Sequence, residues 1–178
     1  AQAVAMTGHH LCVLSRPSLD ILDTSDPGQL VRVGTYPRSS SGDSKNLLAA
    51  DSNCTCVITG TNMEVIDLSD PSRPKLAGGF SAVPSSTDGI VLAGNYAFIA
   101  FSSNPSGVMV IDLSVPSLPA IAGSYSETRS ANTRRVAVSG NLLFAHGDSA
   151  GLQVLEISSE RLGAPVILRE PVDQTVEA

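Results

Sequence analysis

The sequence predicts an all-β fold built of β-propeller blades, four four-stranded antiparallel sheets of about 44 residues each. Three observations carry this. One motif recurs four times at spacings of 44, 45 and 44 residues. Each recurrence holds short apolar runs broken by Gly, Pro, Asn and Ser, the residues that turn a strand back on its neighbour. No window shows a sustained helical stripe of apolar residues with caps.

The motif is plainest in "EVIDLSDPSRPKLAGGF" from Glu64 and "MVIDLSVPSLPAIAGSY" from Met109. Aligned on its acid, the copies centre on Asp23, Asp67, Asp112 and Glu156, and in the first three a glycine follows 11 positions later: Gly34, Gly78 and Gly123. Upstream of each acid, two apolar runs flank a tight polar break, at Gly8-His9, Ser52-Asn53, Gly94-Asn95 and Gly140-Asn141. Such a break is a hairpin signal, because its residues tolerate positive φ.

The units are therefore residues 1–44, 45–88, 89–133 and 134–178. In the third, the four strands are expected at 89–93, 96–101, 107–114 and 120–125. The second is apolar on both faces, as a strand covered above and below should be. The acid ends the third strand, where its carboxylate accepts N–H bonds from the next turn and the proline blocks continuation. Asp23, Asp67 and Asp112 are assigned this turn role, and Glu156, with no Asp-Pro after it, is the degenerate copy. Each copy restates the pattern because a four-stranded sheet with two apolar faces hides them only against neighbours.

The chain of 178 residues is 42% hydrophobic, enough for a core without disulfides or metals. Seventeen acidic against eleven basic residues leave a net charge of −6, and the arginines are scattered apart from Arg134-Arg135. That excludes nucleic acid as the expected partner, since phosphate binding needs a concentrated positive patch. No apolar run reaches the roughly 20 residues that span a bilayer. The start lacks an initiator Met and a signal segment, so the chain reads as a mature product or an excised piece. Cys12, Cys54 and Cys56 read as small buried hydrophobes.

On "VIDLSDPSRPKLAGGF", "VIDLSVPSLPAIAGSY" and "GLQVLEIS" the chain resembles the LVIVD-repeat family, over most of its length and less closely in the first and fourth units. The resemblance implies a β-propeller, an extracellular or cell-envelope location and an interaction module with a protein or glycan partner. It carries over no catalytic residue. Four blades are fewer than the resemblance leads one to expect. Three arrangements stay open: a closed four-bladed ring, an arc that pairs with a second copy, and part of a longer parent chain.

The sites for ligand chemistry are the between-blade segments and the loops joining second and third strands, which vary between copies while the strands do not. The expected ligand-binding cluster is Arg129, Arg134, Arg135, His146 and Asp148, an anion clamp of arginine forks. Its competitor is a solvated rim of arginines paired with Asp43, Asp88 or Asp148. A hydrolase or lyase using His146, Asp148 and Arg135 is the rival function, although no nucleophile motif accompanies them. His9-His10 lacks a third ligand and the serine-rich loops lack calcium-loop spacing, so no metal and no cofactor are expected.

Overall fold

A computed structural model describes residues 1–38, 46–51, 53–126, 132–148, 151–161 and 164–167. Among them, strands follow one another into four four-stranded sheets, each made of consecutive strands. The first holds β1 (Ala3–Thr7), β2 (His10–Leu14), β3 (Ser18–Asp23) and β4 (Val31–Pro37). The second holds β5 (Asn46–Asp51), β6 (Cys54–Thr59), β7 (Asn62–Asp67) and β8 (Lys75–Phe80). The third holds β9 (Thr87–Ala93), β10 (Tyr96–Phe101), β11 (Gly107–Asp112) and β12 (Ala120–Ser126). The fourth holds β13 (Thr133–Ser139), β14 (Leu142–Gly147), β15 (Gly151–Arg161) and β16 (Ala164–Ile167). No helix among the described residues is long and apolar enough to cross a membrane.

Local chemistry sets these elements. The first hairpin of each sheet is a two-residue turn, Thr7 facing His10 and Ser139 facing Leu142, with glycines at φ 55° (Gly8), 57° (Gly94) and 59° (Gly140). These angles are strained for residues with a Cβ. The residue after each acid then donates its N–H to the second turn residue: Thr24 to His9 O (2.8 Å), and Leu68, Leu113 and Ile157 to Asn53, Asn95 and Asn141 O (2.7 Å each). The degenerate fourth copy keeps this bond. Asp23 and Asp67 each accept the amide of the residue two further on, Ser25 and Ser69, at 2.8 Å.

Some boundaries differ from the sequence expectation. In the third sheet β9 begins at Thr87 rather than 89 and β12 ends at Ser126 rather than 125. β11 stops at Asp112 rather than 114, because the turn begins at the acid. Glu156 is not in a turn: β15 runs through it from Gly151 to Arg161, since no Asp-Pro follows to stop the strand.

The chain divides into two compact units. The first comprises Ala1–Pro84, Leu92–Asn95 and Leu113–Pro119. Its core is Cys12, Leu14, Leu19 and Ile21 of the first sheet against Val57, Ile66 and Leu68 of the second, with Ala3, Val33, Tyr36, Leu48 and Ala50 packed around them. Each fully buried aliphatic side chain contributes about 2 kcal/mol from lost water contact.

The glycine 11 positions after the acid acquires its reason here. β3 and β4 pair Ile21 with Gly34 but Leu22 with Arg32, so Val33 bulges out; β7 and β8 pair Val65 with Gly78 but Ile66 with Leu76, so Ala77 does the same. A bulge sharpens the outer strand's twist. The bare glycine behind it lets the next copy's Pro turn come into contact. A Cβ on Gly34 would strike the Pro71 carbonyl oxygen, and one on Gly78 the Pro116 carbonyl oxygen and, at 2.8 Å, Ser117 Cα.

The second unit comprises Ser85–Val91, Tyr96–Asp112 and Ala120–Ala178. β10 packs along β13 and β12 along β16. From Ala97 to Phe101 every residue of β10 is buried, as its two apolar faces require. β11 and β12 repeat the bulge, pairing Val110 with Gly123 but Ile111 with Ile121.

Candidate functional site

The expected arginine cluster lies in the second unit, where β13 enters and β14 leaves the fourth sheet; Arg129 falls outside the described residues. A register shift between Thr133 and Arg135 bulges Arg134 out of the strand, and Arg135 faces His146 across it. Arg134 forks onto Asp148: Nε donates to Oδ1 (2.7 Å) and Oδ2 (2.8 Å), and Nη2 to Oδ2 (2.6 Å). Its Nη1 stands 3.9 Å from Asp88 Oδ2, and Arg135 Nη1 donates to the Asp88 carbonyl oxygen at 2.8 Å. Asn132 adds a long bond, 3.4 Å, to Asp148. The geometry thus brings four of the five expected residues together, but the fork is already engaged by a carboxylate.

The Arg134 fork holds the Asp148 carboxyl below its ordinary range. A depressed carboxylate stabilises the fold above its unfolded-state value, and that contribution disappears as pH falls through the lower folded-state value. The side chains of the pair are 46% exposed, so the stabilising effect is screened. In an NMR titration the Asp148 midpoint is expected below the ordinary carboxylate value of about 3.9, returning towards it in Arg134→Gln. A midpoint unmoved by that substitution would remove the pair from the account.

A second constellation, in the first unit, escaped sequence reasoning. Arg38 follows β4, with its side chain only 4% exposed, and its amide donates to the Pro17 carbonyl oxygen at 2.8 Å. Its Nε meets Glu64 Oε2 at 3.0 Å and its Nη2 donates to Thr59 Oγ1 at 2.7 Å. Thr59 donates on to Asn46 Oδ1 (2.7 Å), and Asn46 Nδ2 to Gln2 Oε1 (3.0 Å). Arg38 Nη1 is buried with no hydrogen-bond partner among the described residues. The next copy holds buried Val83 in the same place, its amide on the Thr61 carbonyl oxygen at 3.1 Å. A valine therefore serves the backbone equally well, and the guanidinium is additional. The available signal was Glu64, three residues before its acid, where Met109 stands in the third copy.

At the opposite, hairpin end the first unit has a cleft of about 470 Å³, lined among others by Asp51, Cys54, Asp67 and Asn95. The surroundings of all three thiols favour the protonated form. Burial pushes Cys12 up to about 11 and Cys56 further, while Cys54 is raised by burial and then by the carboxylates of Asp51 and Asp67. All three are free, and no group of three or more His, Cys, Asp or Glu that could hold a metal occurs among the described residues.

An LVIVD repeat pattern matches residues 1–37, 42–81 and 84–127. No curated protein matches the sequence. Solved structures share the fold at low identity. The computationally designed Ika4 protein aligns with TM-score 0.62 at 11% identity, covering 88% of this chain and 91% of that one. A Lactobacillus plantarum protein aligns with TM-score 0.66 at 14% identity, covering 91% and 53%. A structure titled a putative 6-phosphogluconolactonase, from Bacteroides uniformis, aligns with TM-score 0.68 at 14% identity, covering 93% and 52%. The chain spans about half the length of these last two proteins.

Proposed function

We propose that this chain, which belongs to the LVIVD-repeat family, is a non-catalytic binding module that engages a protein or glycan with the loop-bearing ends of its sheets. The observation that carries the reading is Arg38. An arginine buried where the next copy uses valine contributes nothing the backbone requires, and its guanidinium instead fixes the part-exposed Glu64 carboxylate and the Thr59 hydroxyl at this end of the sheets. Gln2, Asn46 and Thr59 extend the same hydrogen-bonded line, and Arg134, Arg135, His146 and Asp148 supply polar groups at the corresponding end of the fourth sheet. The resemblance, with acidic and serine-rich loops, supports a cell-surface or secreted location.

The rival reading is a hydrolase or lyase, and a lactonase title on one fold neighbour at 14% identity is its outside support. Asp148, committed to Arg134 and held ionised, is poorly suited to deliver a proton. Screening the chain against a glycan array and an envelope-protein library tests the proposal. Retention by the wild type is expected to fall at least tenfold in Arg38→Val and Arg135→Ala, and to survive Asn53→Ala in the hairpin-end cleft. The reverse pattern, or turnover of lactone or glycoside substrates, would contradict it.

A further inference from the structure

The first and fourth sheets each leave one apolar face open, and the two open faces are the two halves of an interface the chain already contains. Within the first unit, Ala3, Cys12, Leu14, Leu19 and Ile21 of the first sheet pack against Leu48, Ala50, Val57 and Ile66 of the second. Cross-strand register puts Val4, Met6, Leu11, Val13 and Leu22 on the first sheet's other side. There Val4 is 59% and Met6 54% exposed. Counting on by one repeat of 44 residues, these five positions become Leu48, Ala50, Thr55, Val57 and Ile66, the very face of the second sheet that the first one covers.

The fourth sheet shows the opposite half. Register groups Leu143, Ala145, Gln153 and Leu155 on one face, all buried, and Ala137, Phe144, Leu152 and Val154 on the other, where Leu152 is 56% exposed. Aligned on the hairpin turn and on the acid, these four stand where the first sheet has Ala5, Cys12, Leu19 and Ile21. In the first sheet that face is the one applied to the second.

We propose that a second copy of this chain occupies both faces: the open side of the fourth sheet in one copy docks on the open side of the first sheet in the other. The contact reproduces between chains the packing of first sheet on second within one chain. Continuity with that interface selects the occupant, because the two surfaces are complementary halves of one repeat junction rather than two copies of the same half. Open apolar sheet faces of this kind are rarely left to water. A head-to-tail contact either closes or runs on into a filament. The chain covers 53%, 50% and 52% of three solved structures of its fold, which makes a closed pair the expected end point.

Light scattering or sedimentation on the whole 178-residue chain, from micromolar to near-millimolar concentration, tests this. The expected mass is twice 18.4 kDa. Met6→Glu and Leu152→Glu place charges on exposed positions, so each variant is expected to keep a cooperative melt, lowered only by the loss of association, and to run at half the wild-type mass. Mixed together, the two retain one intact pair of faces and re-form a dimer. If Met6→Glu fails to fold, Val4→Lys on the same face takes its place. A wild type that stays monomeric throughout overturns the proposal. So does a Leu152→Glu that still dimerises, because pairing would then join two first sheets.

Discussion

Gly78→Ala is expected to lower the unfolding free energy by about 3 kcal/mol, the upper end of what overpacking costs. The new methyl would meet backbone, the Pro116 carbonyl oxygen and Ser117 Cα, so no side-chain rotation relieves it. Gly34→Ala should behave alike against Pro71, whose neighbour Pro74 adds a Cδ at 3.1 Å. Gly94→Ala is the control, because its φ of +57° is strained but a Cβ there meets nothing within 4 Å. It should cost about 1 kcal/mol. Urea midpoints of the three variants decide the matter. If Gly78→Ala is no worse than Gly94→Ala, close approach of turn to strand is not what fixes this glycine.

Glu64→Gln is expected to cost about 2 kcal/mol. It leaves the Arg38 guanidinium buried without its counter-charge, a neutral amide oxygen standing in for the carboxylate beside Thr59. Losing one partner of a fully buried pair costs about 3–5 kcal/mol, and the figure is reduced here because the Glu64 side chain is 34% exposed. Arg38→Val, which installs the next copy's residue, should be close to neutral. An Arg38→Val as damaging as Glu64→Gln would mean that the arginine is structural, and would weaken the proposed binding role. Equilibrium unfolding of the two single variants and of the double variant separates these cases.

What was legible in the sequence is what neighbours along the chain determine. Strand–turn–strand units around Gly94-Asn95 and Gly140-Asn141, and a third strand ending at Asp112, follow from local turn chemistry and alternation. The family match agrees with the repeat read from the "VIDLS" motifs. What was not legible depends on partners distant along the chain, from the neighbouring strand of the same sheet to the turn of the following copy. The bulges at Val33, Ala77 and Ala122 shift the register by one residue beside the recurring glycine, which alone does not tell a bulge from a regular strand position. The purpose of Gly34 and Gly78 lies in the turn of the following copy. Arg38 reads as a loop residue until its backbone is found in the place of Val83, and between an open clamp and a rim paired with Asp148, both readings of the sequence, only the geometry across the strands decides for the pair. In the fourth copy, the missing Asp-Pro signalled degeneracy but not its consequence, a third strand that continues to Arg161.

No sheet here holds its fold without a neighbour to cover its apolar side. The most direct measurement is the amide spectrum and thermal melt of residues 1–44 alone beside those of the whole chain. The isolated repeat is expected to show collapsed amide dispersion and no cooperative transition, because Leu14, Leu19 and Ile21 would lose the surface that covers them. A well-dispersed spectrum with a sharp melt from that single repeat would contradict the account.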